Sequence, residues 1–160
     1  MNKYQWLLAL HVTGAFLFLG AAVVALVLNT AVLRGDRRPS EVALLLRLTA
    51  RANIGFGVGL LLLLVFGLWL VDDAGYGYGD GWIVAALVLF VLSNVFGAVG
   101  GARAKPAHEL ADRLAAEGDT PSAELKARLR DPIALGLDYG AAVLGFAVLA
   151  LMIWKPGAGG

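Results

Sequence analysis

The chain contains no cysteine, and this absence excludes disulfide bonds, thiolate metal sites and thiol redox chemistry. Charged residues are scarce as well: they make up 16% of the 160 residues, against about 25% in soluble domains. Only two histidines and two methionines are available as neutral metal or haem ligands. What the chain has in excess is apolar residues, which make up 59% and give a mean hydropathy of +0.77. This composition is typical of a membrane protein.

Four long apolar stretches fill more than half of the chain, at residues 6–33, 53–71, 82–100 and 133–154. A helix rises about 1.5 Å per residue, so about 20 apolar residues cross a hydrocarbon core of about 30 Å. The backbone within the bilayer must also satisfy its own hydrogen bonds. We therefore predict an all-α fold: one membrane domain over residues 1–160, built as an integral membrane four-helix bundle. The first stretch is longer than the core of a secretion signal, and we expect it to be retained.

Basic residues are distributed unevenly among the connections between these stretches. Residues 34–52 and 101–132 contain eleven of the thirteen Lys and Arg residues, whereas residues 72–81 contain none. Because cytoplasmic connections carry the excess of basic residues, we expect these two connections in the cytoplasm and residues 72–81 and both termini outside. This is the topology of a multi-pass protein of the bacterial cytoplasmic (inner) membrane. Interface-seeking aromatic residues cluster at the predicted outer boundary: Tyr4, Trp6, Trp69, Tyr76, Tyr78, Trp82 and Trp154.

The two cytoplasmic connections carry helix signals of their own. Pro39 and Ser40 are typical of a helix start, so the second helix is expected to begin in the cytoplasm and to run for about 30 residues. The connection 101–132 reads as two short amphipathic helices that begin near Pro106 and Pro121, with Gly118 ending the first. These helices either lie in water or at the headgroups, or form a surface for a partner.

Small residues recur at four-residue spacing in the last three spans, where they let helix backbones approach each other. This pattern favours tight packing within one bundle, and the alternative is contact with a second copy of the chain. The residues concerned are Gly55, Gly59, Ser93, Gly97, Gly101, Gly136 and Gly140.

Polar side chains within the spans are the candidates for function, because each is costly in lipid unless it is paired. His11 and Asn29 are eighteen residues apart, about five helical turns, and so share one face of the first span. Asp138 is the single acidic residue within an apolar stretch, and we expect it to form an ion pair with Arg51. Such a pair would either fix the helix register or take part in a proton or ion relay. Two asparagines could complete its hydrogen bonds: Asn53 and Asn94.

Several short motifs occur in a recognisable order along the chain. They are LHVTGAFLFLGA in the first span, RLTARAN at the entry to the second, Gly-Trp at the start of the third, and LD and WKPG in and after the fourth. With these motifs the chain resembles, over nearly its whole length, a bacterial family of predicted four-span integral membrane proteins of unknown function (domain of unknown function two-two-six-nine). The resemblance implies the topology and no activity.

The opening LHVTGAFLFLG is also distantly similar to the first helix of copper-resistance D-type membrane proteins and of the haem-containing protoporphyrinogen oxidase. This resemblance implies that His11 could bind haem or copper. In this chain Met152, at a comparable depth in the fourth span, is the available second ligand.

Three functions compete on these grounds. The first is a non-enzymatic structural or accessory bundle that binds no cofactor and no nucleic acid, lies in the lipid bilayer, and joins a homo-oligomer or a larger membrane complex. The second is a haem- or copper-binding redox protein that uses His11. The third is a small transporter or channel that uses His11, Asn29 and Asp138.

Overall fold

The computed structural model describes residues 2–157, which form five α-helices and no strand. The helices are α1 (Lys3–Val32), α2 (Pro39–Asp73), α3 (Gly81–Ala116), α4 (Ala123–Leu129) and α5 (Pro132–Trp154). Four helices in this part of the chain are long and apolar enough to cross a membrane, the fourth lying within Ala123–Trp154. The predicted all-α fold with four candidate spans is therefore confirmed.

The spans are arranged as two antiparallel hairpins. α1 packs along α2, and α3 packs along α5, while the two hairpins contact each other less, mainly through α2 and α3. Phe18 of α1 lies where the hairpins meet, with its ring centroid 4.4 Å from that of Phe56 on α2 and 5.9 Å from that of Phe90 on α3. The bundle is thus made of two tight pairs of helices that are joined more loosely.

Two of the helices are much longer than a bilayer requires. α2 has 35 residues and α3 has 36, so each is over 50 Å long at about 1.5 Å per residue, against a hydrocarbon core of about 30 Å. The early start of α2 at Pro39 confirms the prediction that this helix begins within the basic connection.

The prediction of a separate helix starting at Pro106 is wrong, because α3 continues through Pro106 to Ala116. A proline inside a helix removes one backbone hydrogen bond, to the carbonyl four residues earlier. Here both Pro106 and Ala102 are exposed, so that carbonyl can be hydrated. The second predicted short helix is present as α4, capped by Ser122, and α3 ends just before Gly118, whose φ is +132°.

The extensions of α2 and α3 pack with α4 into a small helical unit on the basic side of the molecule. We call this unit, residues 39–52 and 101–129, the head. Its core is apolar, includes the last residue of α1, and consists of Val32, Val42, Ala43, Leu46, Leu110, Ala111 and Leu125. The head therefore buries its own apolar side chains in the way that a small soluble domain does.

Polar contacts close the head around this core. Asp119 accepts hydrogen bonds from the backbone N–H and the side-chain hydroxyl of Ser40, both at 2.7 Å. The cap position of α2, Arg38, has no side-chain hydrogen bond to the helix, so Asp119 supplies the carboxylate that a helix N-terminus favours. Arg47 forms an ion pair with Asp112 at 2.7 Å, which links α2 to α3.

The opposite end of the bundle carries the aromatic residues. Trp82 packs edge-on against Tyr76 with ring centroids 5.3 Å apart, in a cluster with Val71 and Ile83. The Lys155 ammonium lies 5.0 Å from the Tyr76 ring centroid and 5.6 Å from that of Trp82, a cation–π arrangement. The other aromatic residues of the predicted outer boundary are exposed: Tyr4, Trp6, Trp69, Tyr78 and Trp154.

Candidate intramembrane polar sites

The contact between α1 and α2 brings two backbones together. A methyl group in place of a Gly59 hydrogen would lie 2.9 Å from the Phe18 Cα, and one on Gly14 would lie 2.8 Å from the Leu62 Cβ. Only hydrogen fits at either position. Gly59 belongs to the small-residue pattern found in the sequence, and its neighbour in that pattern, Gly55, makes an ordinary van der Waals contact instead.

His11 lies on this same interface. Its Nδ1 is 3.2 Å from the Leu63 carbonyl oxygen on α2. Because a carbonyl can only accept, Nδ1 is the donor in this bond, and Nε2 is left without a proton in a neutral imidazole. The ring also rests against the Gly67 backbone, where a Cβ would lie 3.0 Å from His11 Cε1. His11 therefore joins α1 to α2, and Gly67 makes room for its ring.

Asp138 meets Asn29 at the junction of the two hairpins. Asn29 Nδ2 donates a hydrogen bond to Asp138 Oδ2 at 3.4 Å, which links α1 to α5. The other carboxylate oxygen lies against α3, where a Cβ on Gly100 would be 2.6 Å from it. Asp138 follows the first residue of α5 by six residues, or about 9 Å along the helix. The carboxylate therefore lies near the basic-side interface rather than at the centre of the bilayer.

The structure does not bring Arg51 to Asp138. No ion pair between them occurs among residues 2–157, where Asp138 has Asn29 as its hydrogen-bond partner instead. The reason is the rotation of α2: Leu46 and Thr49 form its buried face in this stretch, and Arg51 is exposed.

The two asparagines proposed to complete that pair lie elsewhere. Asn94 Nδ2 donates to the Phe90 carbonyl of its own helix at 2.7 Å, and Asn53 is exposed on α2. A polar contact between helices comes instead from Ser93, whose hydroxyl donates to the Ala141 carbonyl on α5 at 2.8 Å. Ser93 was predicted to pack because it is small, and in the structure it also joins α3 to α5 by this hydrogen bond.

The small residues of α3 and α5 divide into two groups. Gly140 accommodates the Phe96 ring, which would lie 3.0 Å from an added Cβ. Gly100 does not belong to the four-residue pattern that starts at Ser93, yet it is buried against α5. At the other three glycines of the pattern, an added Cβ would meet no atom within 4 Å in the described part of the chain: Gly97, Gly101 and Gly136. That these glycines contact a second copy of the chain stays a prediction.

Met152 is placed in the aromatic cluster at the end of the bundle opposite the head. It packs there against the group of Val71, Trp82 and Ile83, whereas His11 contacts Leu63 and Gly67. Among residues 2–157, no group of three or more His, Cys, Asp or Glu side chains is arranged to hold a metal ion. Of the two proposed haem or copper ligands, His11 is the one that remains a candidate, through its Nε2.

The model of a family described as "Predicted integral membrane protein (DUF2269)" matches residues 5–156. No curated protein and no solved structure matches the chain.

Proposed function

The chain belongs to the DUF2269 family of predicted integral membrane proteins, and from this premise we propose that it is a non-enzymatic accessory protein of the bacterial inner membrane. The observation that carries this proposal is how the polar side chains of the spans are used. His11 bonds to α2, Ser93 to α5, and Asn29 to Asp138. Each of these bonds joins two helices, which is the usual role of polar side chains in lipid.

The head supports the same proposal. Because α2 and α3 continue without a break from the spans into the head, the head is held at a fixed height and angle at the membrane surface. Its outer surface carries apolar side chains that are exposed on α2, Leu44 at 58% and Leu48 at 38%. An accessory protein would use such a head in a homo-oligomer or a larger membrane complex. We assign the head to the cytoplasm and both termini to the outside because the connections 34–52 and 101–132, which contain the head, carry most of the basic residues.

A crosslinking experiment in intact cells tests this role. A photoreactive amino acid at Leu44 is expected to give one discrete protein adduct, either a second copy or another protein. The matched position is Val143, which is 67% exposed on the span α5 and is expected to give lipid adducts only. Adducts of the same kind from both positions, or no protein adduct from Leu44, would contradict an accessory role for the head.

Haem or copper binding at His11 is the second candidate, and one observation favours it. The bond from Nδ1 to the Leu63 carbonyl fixes the imidazole plane and leaves Nε2 available, which is the usual arrangement of a histidine ligand. Visible spectra and metal analysis of the protein purified in mild detergent, beside His11→Ala, separate the two candidates. A Soret band or stoichiometric copper that disappears in the variant would replace the accessory role by a redox role.

A further inference from the structure

A small cavity lies where the loop after α1 meets α4. It has a volume of about 40 Å³, and its floor is formed by apolar side chains that include Val32, Val42 and Leu125. The rim is charged, with three cations, Arg37, Lys126 and Arg130, around one acid, Asp36. We call these four residues the basic rim.

The charges of the basic rim are only partly neutralised. Lys126 Nζ lies 2.7 Å from Asp36 Oδ1, and Lys126 lowers the pKa of Asp36 by this hydrogen bond and by its charge, with a smaller effect from Arg130. Arg37 has one acidic neighbour, Glu41, at the long distance of 3.9 Å. The Asp36 side chain is 78% exposed, so it is a counter-ion held at the surface that another anion can replace.

The basic rim lies at the level of the lipid headgroups. From Trp6 at the outer boundary to Leu33 at the end of α1 there are 27 residues, or about 40 Å of helix, and a bilayer with its headgroups is about 40–45 Å thick. Arg37 follows this point in the loop, and Arg130 precedes the first residue of α5 by two positions. Both arginines are therefore held where the phosphates of the basic-side leaflet lie.

We propose that the basic rim binds the phosphate of one anionic phospholipid, which replaces Asp36 beside Lys126 and accepts hydrogen bonds from Arg37 and Arg130. Basic pockets at the ends of spans suit such headgroups because arginine and lysine supply charged donors to phosphate oxygens. Arg37 is already oriented, since its Nε donates to the Ala31 carbonyl at 2.8 Å. One of its terminal nitrogens lies 3.9 Å from Glu41, beyond hydrogen-bond distance, so it can turn to the ligand.

Native mass spectrometry of the full chain in neutral detergent, titrated with phosphatidylglycerol, tests the proposal. One phosphatidylglycerol is expected to bind more tightly than phosphatidylcholine. Lys126→Gln and Arg130→Gln are each expected to weaken it about fivefold, the effect of one basic residue at an anionic surface. Asp36→Asn is expected to strengthen it, and Arg113→Gln, with the same loss of charge elsewhere on the head, is expected to leave it unchanged.

The pair of variants Asp36→Asn and Lys126→Gln separates binding from folding. Both remove the same ion pair, so a structural effect would move affinity in the same direction, whereas the proposal requires opposite directions. Equal losses in Lys126→Gln and Arg113→Gln would reduce the effect to net charge and overturn the proposal. Inorganic phosphate that competes with phosphatidylglycerol at comparable concentration would overturn the lipid as occupant and identify a soluble anion instead.

Discussion

In the head, Ala111, Val42 and Leu125 keep 0%, 2% and 3% of their surface exposed, whereas no residue of the span α5 is buried. The same two helices, α2 and α3, take part in both regions, so the difference does not come from helix formation. It comes from the solvent. In water, burying apolar side chains is itself favourable, while in lipid the surroundings of an exposed leucine are as apolar as a protein core.

The spans accordingly use further contacts in addition to apolar burial. Gly14 and Gly59 bring two backbones together, and Ser93 and His11 donate hydrogen bonds to carbonyls of neighbouring helices. The head needs bulky side chains, and the spans need the absence of side chains at a few positions. Replacing a large side chain by a small one should therefore damage the head, and replacing a glycine by a larger residue should damage the spans.

The largest effect is expected from removing bulk in the head. Leu110 is 4% exposed, and Leu110→Ala should lower the free energy of unfolding by about 2–5 kcal/mol, through lost apolar burial and the cavity left behind. Thermal unfolding in detergent measures the change. Leu44→Ala, at a position of the same head that is 58% exposed, is the control and should stay within about 0.5 kcal/mol of the wild type. A similar loss in both variants would mean that the head has no core of its own.

The next effect is expected from adding bulk in the spans. Gly59→Val should destabilise the protein by about 1–3 kcal/mol, because the new side chain collides with the Phe18 backbone and separates α1 from α2. Gly57→Val is the matched control two residues away, where an added Cβ meets no atom within 4 Å. If the two variants had the same unfolding temperature, the close contact of α1 and α2 would be refuted.

These two substitutions also mark what sequence reasoning can and cannot predict. Apolar length is a property of each segment alone, and the four candidate spans followed from it directly. Contacts depend on how each helix is rotated about its axis, and a single residue changes that rotation by about 100°. The spacing from Ser93 pointed to Gly101, while the neighbouring Gly100 is the one that meets α5.

The Asp138 site illustrates the same limit. Arg51 was the expected partner of Asp138, but the rotation of α2 leaves Arg51 exposed on the surface of the bundle. The side-chain amide of Asn29 on α1 bonds to Asp138 instead. The wrong prediction of a new helix at Pro106, which lies inside α3, had a different cause. A proline signal alone does not distinguish the first turn of a new helix from an exposed turn within a long one.

A smaller effect is expected at the link between the hairpins. In a double-mutant cycle, Asn29→Ala and Asp138→Ala should show a coupling of about 0.6 kcal/mol, the average for hydrogen bonds between helices in membranes. The same cycle with Arg51→Gln and Asp138→Ala should show none, since Arg51 makes no ion pair with Asp138 in the described chain. Coupling to Arg51 instead of Asn29 would restore the ion pair expected from the sequence.

The smallest effect is expected from acid acting on Asp119 in the head. Hydrogen bonds from the Ser40 hydroxyl and backbone N–H hold the pKa of Asp119 below its usual value. The ionised carboxylate is therefore favoured in the folded state, so its contribution is complete above the usual aspartate pKa, about 3.9, and is lost as the pH falls through the lowered value.

Thermal unfolding of the wild type and of Asp119→Asn between pH 7 and pH 3 measures this contribution. The wild type should be the more stable protein at neutral pH, and the difference should shrink toward the acidic end. His108, whose pKa burial lowers, titrates in both proteins, so its effect cancels in the difference. A gap between the two proteins that stays constant over the whole range would show that the carboxylate charge of Asp119 does not cap α2.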